Sequence, residues 1–340
     1  MRKKIYIRSF GIIIILIFLA SSFYYLPFYV SKPGMAKELE PIIKVEDAFE
    51  EEGSFMLTTV RMGRANIYSY VIAKLSKYQD IYPLEAIRAK DESEEEYNVR
   101  QLYLMSSSKT NAIEVAYKKA DIPIQYDYKG VYVLNVVDDM PAEGKLKPGD
   151  RIYKVDGKDF DSTEQFINYV SKKNEGDRVK LAFLRNDQKG DITLSLKKFH
   201  DDQSKVGVGI SLVDDKELEV EPTVHVETSD IGGPSAGLMF SLEIYNQLTK
   251  KDYTKGYKIA GTGTISVDGT VGPIGGIEQK IIAADKAGAE IFFAPNENGE
   301  KNSNYRDAVK TAKDIGTNMK IVPVDTFDDA LEYLDSIKAK

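Results

Sequence analysis

Cysteine is absent from the 340-residue sequence, and histidine occurs only twice, as His200 and His225. Without cysteine there is no disulfide, no thiolate nucleophile and no thiolate-bound zinc, and two isolated histidines do not furnish a zinc enzyme. No metal or other cofactor is called for. The charge that nucleic acid requires is also lacking: the formal net charge is −7 and no basic patch carries interleaved aromatics. No nucleic-acid partner is expected. A phosphate loop of the form Gly-x4-Gly-Lys-Ser/Thr is missing too, so no ATP is expected to take part.

What is present divides the chain. Its length allows two or three domains, and 42% apolar against 29% charged residues is ordinary for a globular protein. Arg2, Lys3, Lys4 and Arg8 precede an almost wholly apolar run over residues 10–29. Positive charge ahead of roughly 20 apolar residues predicts a transmembrane helix with a cytoplasmic N-terminus. Residues 1–30 therefore read as an uncleaved anchor rather than a signal peptide, whose apolar core is shorter. The plasma membrane is then a partner, in single-pass fashion, and the rest of the chain is extracytoplasmic. Residues 31–122 read as a mixed α/β spacer or docking region, with strands near 42–45 and 54–60 and helices near 65–75, 99–105 and 110–120. No chemistry is evident there.

Chemistry concentrates further on. Gly232-Gly233-Pro234-Ser235-Ala236-Gly237 leads into an apolar run, and Pro273-Ile274-Gly275-Gly276-Ile277-Glu278-Gln279-Lys280 follows, with Ser235 and Lys280 45 residues apart. The glycines permit a sharp turn and Pro234 sets one φ angle, so Ser235 sits at or beside a helix N-terminus. Backbone N–H groups there, over Gly233, Pro234 and Ala236, suit a developing oxyanion; a plain serine N-cap is the other reading. Lys280 lies in a stripe of Ile277, Ile281 and Ala284 at helical spacing. Either its head snorkels to water, or burial keeps the amine uncharged and able to take a proton from serine, a task that usually falls to histidine.

The two motifs together, with Gly261-Thr262-Gly263-Thr264-Ile265 between them and Ala289-Glu290-Ile291-Phe292-Phe293-Ala294-Pro295 after them, resemble the proteolytic domain of the Lon peptidase family. The resemblance runs from about residue 225 to the C-terminus. It implies a catalytic dyad of Ser235 and Lys280. It also implies a supporting role for Thr262 beside the lysine, which is equally readable as a strand threonine. His225 falls where such chains often carry a structural or substrate-lining histidine. Many members have aspartate where this chain has Gly232, so any step relying on that acid is left open. Lys286 reads as a surface lysine.

Between spacer and peptidase, Gly130-Val131-Tyr132-Val133, then Leu146-Lys147-Pro148-Gly149-Asp150-Arg151-Ile152 and Val155-Asp156-Gly157, resemble a PDZ domain, placed at 123–200. The resemblance implies a groove at Gly130, Val131, Tyr132 and Val133 where a peptide adds as an extra strand. Asp161 is expected to cap a helix over 162–171, with Glu164 completing the box. The module either captures substrate or only shields the active site.

The fold class expected is multidomain α+β: a transmembrane helix, a mixed α/β spacer, a PDZ domain and a Lon-type α/β proteolytic domain at 201–340. This arrangement resembles the YlbL/SepM group of membrane-anchored peptidases. It implies an ATP-independent serine endopeptidase acting on small secreted or membrane-tethered regulatory peptides or proteins. A non-catalytic membrane scaffold that binds peptides is the alternative. Nothing in the sequence decides the oligomeric state.

Overall fold

The protein is described here from a computed structural model that covers Ile12, Leu19 and residues 21–88, 92–200, 202–228 and 231–340. In chain order the strands are β1 (Tyr25–Glu38), β2 (Ile43–Val45), β3 (Ser54–Asn66), β4 (Asp80–Pro83), β5 (Ile124–Val136), β6 (Arg151–Val155), β7 (Arg178–Arg185), β8 (Gln188–Ser195), β9 (Lys197–Lys198), β10 (Val206–Gly207), β11 (Ile210–Val220), β12 (Val224–Val226), β13 (Lys258–Gly261), β14 (Thr264–Ile265), β15 (Val271–Gly272), β16 (Ile291–Pro295) and β17 (Lys320–Val324). The helices, beginning after β3, are α1 (Ile67–Leu75), α2 (Leu84–Ile87), α3 (Glu94–Lys119), α4 (Thr163–Ser171), α5 (Gly237–Leu248), α6 (Ile277–Lys286), α7 (Asn304–Ile315) and α8 (Phe327–Ser336).

Six strands form one mixed sheet in the order β17-β16-β13-β3-β1-β4. β16 is buried along its whole length, as a parallel strand covered on both faces must be. β3 is the seam of this sheet. Its first half pairs in parallel with β13, Phe55 opposite Ile259 and Leu57 opposite Gly261. On its other edge, from Met56 to Asn66, it pairs antiparallel with β1, which pairs in turn with β4. Successive side chains point to opposite faces: Phe55 and Leu57 pack with Leu238, Met239 and Phe240 of α5, whereas Met56 packs with Ile277, Ile281 and Ala284 of α6. The expected spacer at 31–122 thus meets a different arrangement. β1, β3 and β4 lie in the same sheet as β13, β16 and β17, and the run Phe55-Met56-Leu57 is covered on both faces.

Residues 124–220 build a second, antiparallel sheet, β11-β5-β6-β7-β8, with α4 against it and a core of its own around Val131, Ile152, Phe166 and Leu181. The helix cap differs from expectation: Ser162, not Asp161, is the N-cap and accepts from the Gln165 N–H at 3.1 Å. The chain then leaves this sheet through β12, which pairs with β2 in a separate two-stranded sheet. The two helices expected at 99–105 and 110–120 are one, α3. It opens on a capping box in which Ser93 and Glu96 exchange hydrogen bonds, and no glycine or proline interrupts it.

The transmembrane helix expected in residues 1–30 is corrected by this structure. No helix among the described residues is long and apolar enough to cross a membrane. From Tyr25 the apolar run is strand β1, with Tyr29 opposite Arg64 and Val30 opposite Gly63. Tyr29 and Val30 are buried, and the Phe28 ring lies 5.1 Å from that of Tyr70 on α1. Apolarity at 25–30 therefore serves a sheet core. The earlier part of the run, apart from Ile12, Leu19 and residues 21–24, lies outside the described residues. The single-pass plasma-membrane placement rested on that helix and falls with it.

One polar feature inside the core sets a pH dependence. Glu243 of α5 is fully buried and accepts from Gln247, while its second carboxylate oxygen has no partner. Burial pushes its carboxyl up, and nearby Glu51 and Glu40 push it further. Burial likewise raises Glu51, against the hydrogen bond it accepts from Asn246. The folded state therefore holds protons that the unfolded chain releases above the ordinary carboxylate range, so stability falls as pH rises. Glu243→Gln is expected to flatten the fall in melting temperature between about pH 5 and about pH 9. Calorimetry that finds the same slope in both proteins would contradict this account.

Candidate active site

Ser235 lies between β12 and α5, just before the helix begins. Ala236 is the N-cap and no side chain caps this terminus, which removes the reading of Ser235 as a plain capping serine. Gly233 has φ +87, a left-handed conformation that side chains disfavour. At Gly232, where many Lon-family chains have aspartate, a Cβ would lie 3.0 Å from the Cβ of Gln101. The loop therefore sits hard against α3.

Lys280 approaches from α6, on the other face of the sheet, and its side chain ends beyond the carboxyl end of β13. Its Nζ is 2.8 Å from Ser235 Oγ and 2.7 Å from Thr262 Oγ1. At 2% exposure it does not snorkel, and it forms no ion pair among the described residues. Burial alone brings its amine down to about 7. A dry, uncharged amine beside a serine hydroxyl is what proton abstraction from serine requires.

Thr262 orders the pair. It is fully buried, and its Oγ1 donates to the Ser235 carbonyl at 3.0 Å. A hydroxyl has a single proton, so with that proton committed, Thr262 accepts from Lys280. The lone pair of the neutral amine is then free to face Ser235 Oγ. The strand-threonine reading and the supporting reading coincide: Thr262 follows directly on β13.

The sequence-chosen oxyanion stretch is only partly available. The Gly233 N–H donates to Gln101 O at 3.0 Å, and Pro234 has no N–H. Within this stretch the amides of Ser235 and Ala236 remain. His225 sits on β12 opposite Lys44, exposed and away from the dyad, and Lys286 is exposed.

A cleft of about 490 Å³ opens onto Ser235 and Lys280. Its walls come from β1 and β3, from α3 and from the serine loop. Met35, Met62, Met105, Val60 and Ile231 give it an apolar surface, Lys37 and Arg61 contribute two cations, and no carboxylate among the described residues lines it. Neither cation forms an ion pair among the described residues. Apart from Ile231, these residues went unremarked in the sequence because they stand more than 120 positions from the motif they serve, with no pattern of their own.

The expected peptide groove is displaced. Val131 and Tyr132 pair with Asp214 and Val213 of β11 on one side and with Ile152 and Arg151 of β6 on the other; Gly130 and Val133 are also paired with β11. A strand with both edges occupied has no room for a third partner. The edge strand beside α4 is β11, whose Asp214 accepts from the Thr163 N–H at 2.6 Å. The sequence Val206-Gly207-Val208-Gly209-Ile210, which reads as the start of the first strand of the proteolytic domain, is where the chain turns into that strand.

Comparison with known proteins identifies two domains. Residues 104–196 match the PDZ domain and residues 193–335 the Lon protease (S16) C-terminal proteolytic domain. Lon protease from Campylobacter jejuni is 31% identical over 180 residues, covering 46% of this chain and 22% of the relative. Lon protease from Campylobacter concisus is 36% identical over 137 residues, covering 40% and 16%. The chain thus spans less than a quarter of the length of these relatives. The crystal structure of the PDZ domain of an SdrC-like protein from Listeria monocytogenes is 38% identical, covering 26% of this chain and 90% of that one, with a TM-score of 0.25. The chain therefore carries a PDZ domain and a Lon-type proteolytic domain, which support a serine peptidase.

A buried amine costs stability, and the sign can be worked out. The unfolded chain holds a proton on lysine up to its ordinary value of 10.5, whereas the folded chain gives it up near 7. The cost is greatest at and below neutral pH and disappears as pH rises toward the ordinary value. Lys280→Met is expected to be more stable than the wild type at neutral pH, by on the order of 2–4 kcal/mol, in denaturant titrations. A less stable variant would contradict the dry-amine account.

Proposed function

We infer that this protein is a serine endopeptidase that cleaves peptide bonds without ATP, through Ser235 and Lys280 with Thr262 in support. The observation that carries this reading is the 2.8 Å contact between a water-excluded amine and a serine hydroxyl just before a helix N-terminus. Ser235 Oγ attacks the scissile carbonyl carbon as its proton passes to Lys280 Nζ. The carbonyl oxygen becomes an oxyanion, met by the amides of Ser235 and Ala236. The tetrahedral intermediate collapses as the Lys280 ammonium returns the proton to the leaving amine. Water, deprotonated by the same amine, then releases the acyl group and restores the serine.

The chain has no phosphate-loop sequence of its own, so the proposal is cleavage of flexible peptides and small proteins that need no unfolding. An extended segment suits the cleft. Methionines adapt to varied apolar side chains. Lys37 lies opposite Leu57, and Arg61 stands four residues further along β3, about 13 Å at strand spacing. Acidic residues on either side of an apolar one match those two cations. The PDZ module is proposed to capture substrate as an added strand on the open edge of β11, beside α4.

Two results test the enzyme. Purified Ser235→Ala is expected to lose peptide hydrolysis, by at least about 10³-fold, while keeping its circular dichroism spectrum and melting temperature; unchanged turnover ends the reading. Since Lys280 acts as the neutral amine, kcat/KM is expected to rise with pH through about 7 and level off above; a profile flat across that interval removes Lys280 as the base. In a peptide library analysed by mass spectrometry, Lys37→Glu with Arg61→Glu is expected to lower the preference for acid-flanked sites by about tenfold. An unaltered preference would dismiss the two cations as specificity elements.

A further inference from the structure

Two peptide planes flank the nucleophile, and each is held by its carbonyl oxygen. The Ser235 carbonyl accepts from Thr262 Oγ1 at 3.0 Å and from the Gly263 N–H at 2.9 Å. In a planar trans peptide the N–H points opposite the C=O, so these two bonds set the direction of the Ala236 N–H. The Pro234 carbonyl is held differently. It accepts from Ser108 Oγ at 2.9 Å, and by the same rule that bond sets the direction of the Ser235 N–H. Thr262 and Gly263 lie within the Lon-like stretch, but Ser108 comes from α3, 126 residues before Pro234.

Ser108 is placed for this contact and not for its own helix. A serine inside a helix commonly bonds back to the carbonyl one turn earlier, as Thr110 does to Ser106. The hydroxyl of Ser108, at 3% exposure, instead crosses to the serine loop. Its surroundings leave little slack: a Cβ at Gly237 would stand 2.9 Å from Ser108 Oγ and 2.6 Å from Ile265 Cγ2. Neighbouring residues of α3 hold the two flanks. Gln101 O takes the Gly233 N–H at 3.0 Å, and Asn111 Nδ2 donates to Ile265 O at 3.0 Å, on the hairpin that follows Thr262.

We propose that Ser108 is a positioning residue of the peptidase, aiming the Ser235 N–H at the oxyanion by fixing the Pro234 carbonyl, with Gln101 and Asn111 steadying the loop and the hairpin beside it. This rests on the peptidase reading above. Without the Ser108 bond the Pro234–Ser235 peptide is free to rotate, and one oxyanion donor loses its alignment while the dyad keeps its own contacts.

The test uses the full chain and three proteins: wild type, Ser108→Ala and Ser108→Thr, which retains the donor. Ser108→Ala is expected to lower kcat by about 10–100-fold with KM within about twofold, because the lost interaction belongs to the transition state. Its pH midpoint should match the wild type, since Lys280 is untouched. A peptidyl boronate, which forms a tetrahedral adduct on serine, should lose affinity by a factor similar to the loss in kcat. Ser108→Thr should restore most of the rate. An unchanged kcat in Ser108→Ala, or equal losses in both variants with a shifted pH midpoint, would overturn the assignment in favour of simple packing. A wild type that hydrolyses no peptide in the library would overturn the peptidase reading itself, which separates the two failures.

Discussion

Everything at this site depends on keeping water away from one amine. Lys280 is a long, strongly hydrated cation by default, and the proposed role as a base requires that α6 and the sheet remove that hydration. Nothing charged among the described residues compensates it, and burial is what lowers its basicity. The packing of Ile277, Ile281 and Ala284 around it is therefore part of the proposed catalytic apparatus as much as of the core. Thr262 adds direction, because its own proton is spent on the serine carbonyl and it can only accept from the lysine.

The sheet explains how the two motifs meet. α5 and α6 lie on opposite faces, and neither helix alone brings serine to lysine. They converge past the carboxyl end of β13, where Gly261 gives way to Thr262, a location that parallel strands commonly leave open for ligands. β3 supplies the neighbouring wall. Since β3 also carries the antiparallel hairpin with β1, the N-terminal third of the chain contributes much of the cleft surface.

α3 belongs to both halves of the molecule. Besides its grip on the serine loop, it meets the second sheet: Tyr103 lies 3.9 Å from Tyr132 of β5, ring centre to ring centre. Glu114 is paired with Lys216 of β11, both almost fully buried. Burial alone would raise the carboxyl of Glu114, but hydrogen bonds from Lys118 and Lys216 outweigh it and hold the group below the usual range. A desolvated pair of this kind fixes where one element sits on another more than it adds net stability. The PDZ module is thus seated on the same helix that touches the Ser235 loop.

Local chemistry was legible in the sequence. Glycines and a proline around Ser235 announced a tight turn into a helix, the apolar stripe marked Lys280 while leaving burial and snorkelling both open, and the PDZ signature announced a second sheet. These features depend on neighbours within a few residues, which one-dimensional spacing records. Three other matters were settled only by tertiary structure. The apolar run reaching Tyr29 looked like a membrane span because hydropathy does not distinguish lipid from a protein core; in the fold Val30 packs with Ala65 and Ala73, and the Tyr29 ring lies 6.0 Å from that of Tyr97. The strand at Gly130–Val133 looked open because sequence does not show that β11 returns some 80 residues later to cover it. Ser108 carried no signal at all, since a serine in a helix becomes a positioning group only when the fold sets a distant carbonyl 2.9 Å from its hydroxyl.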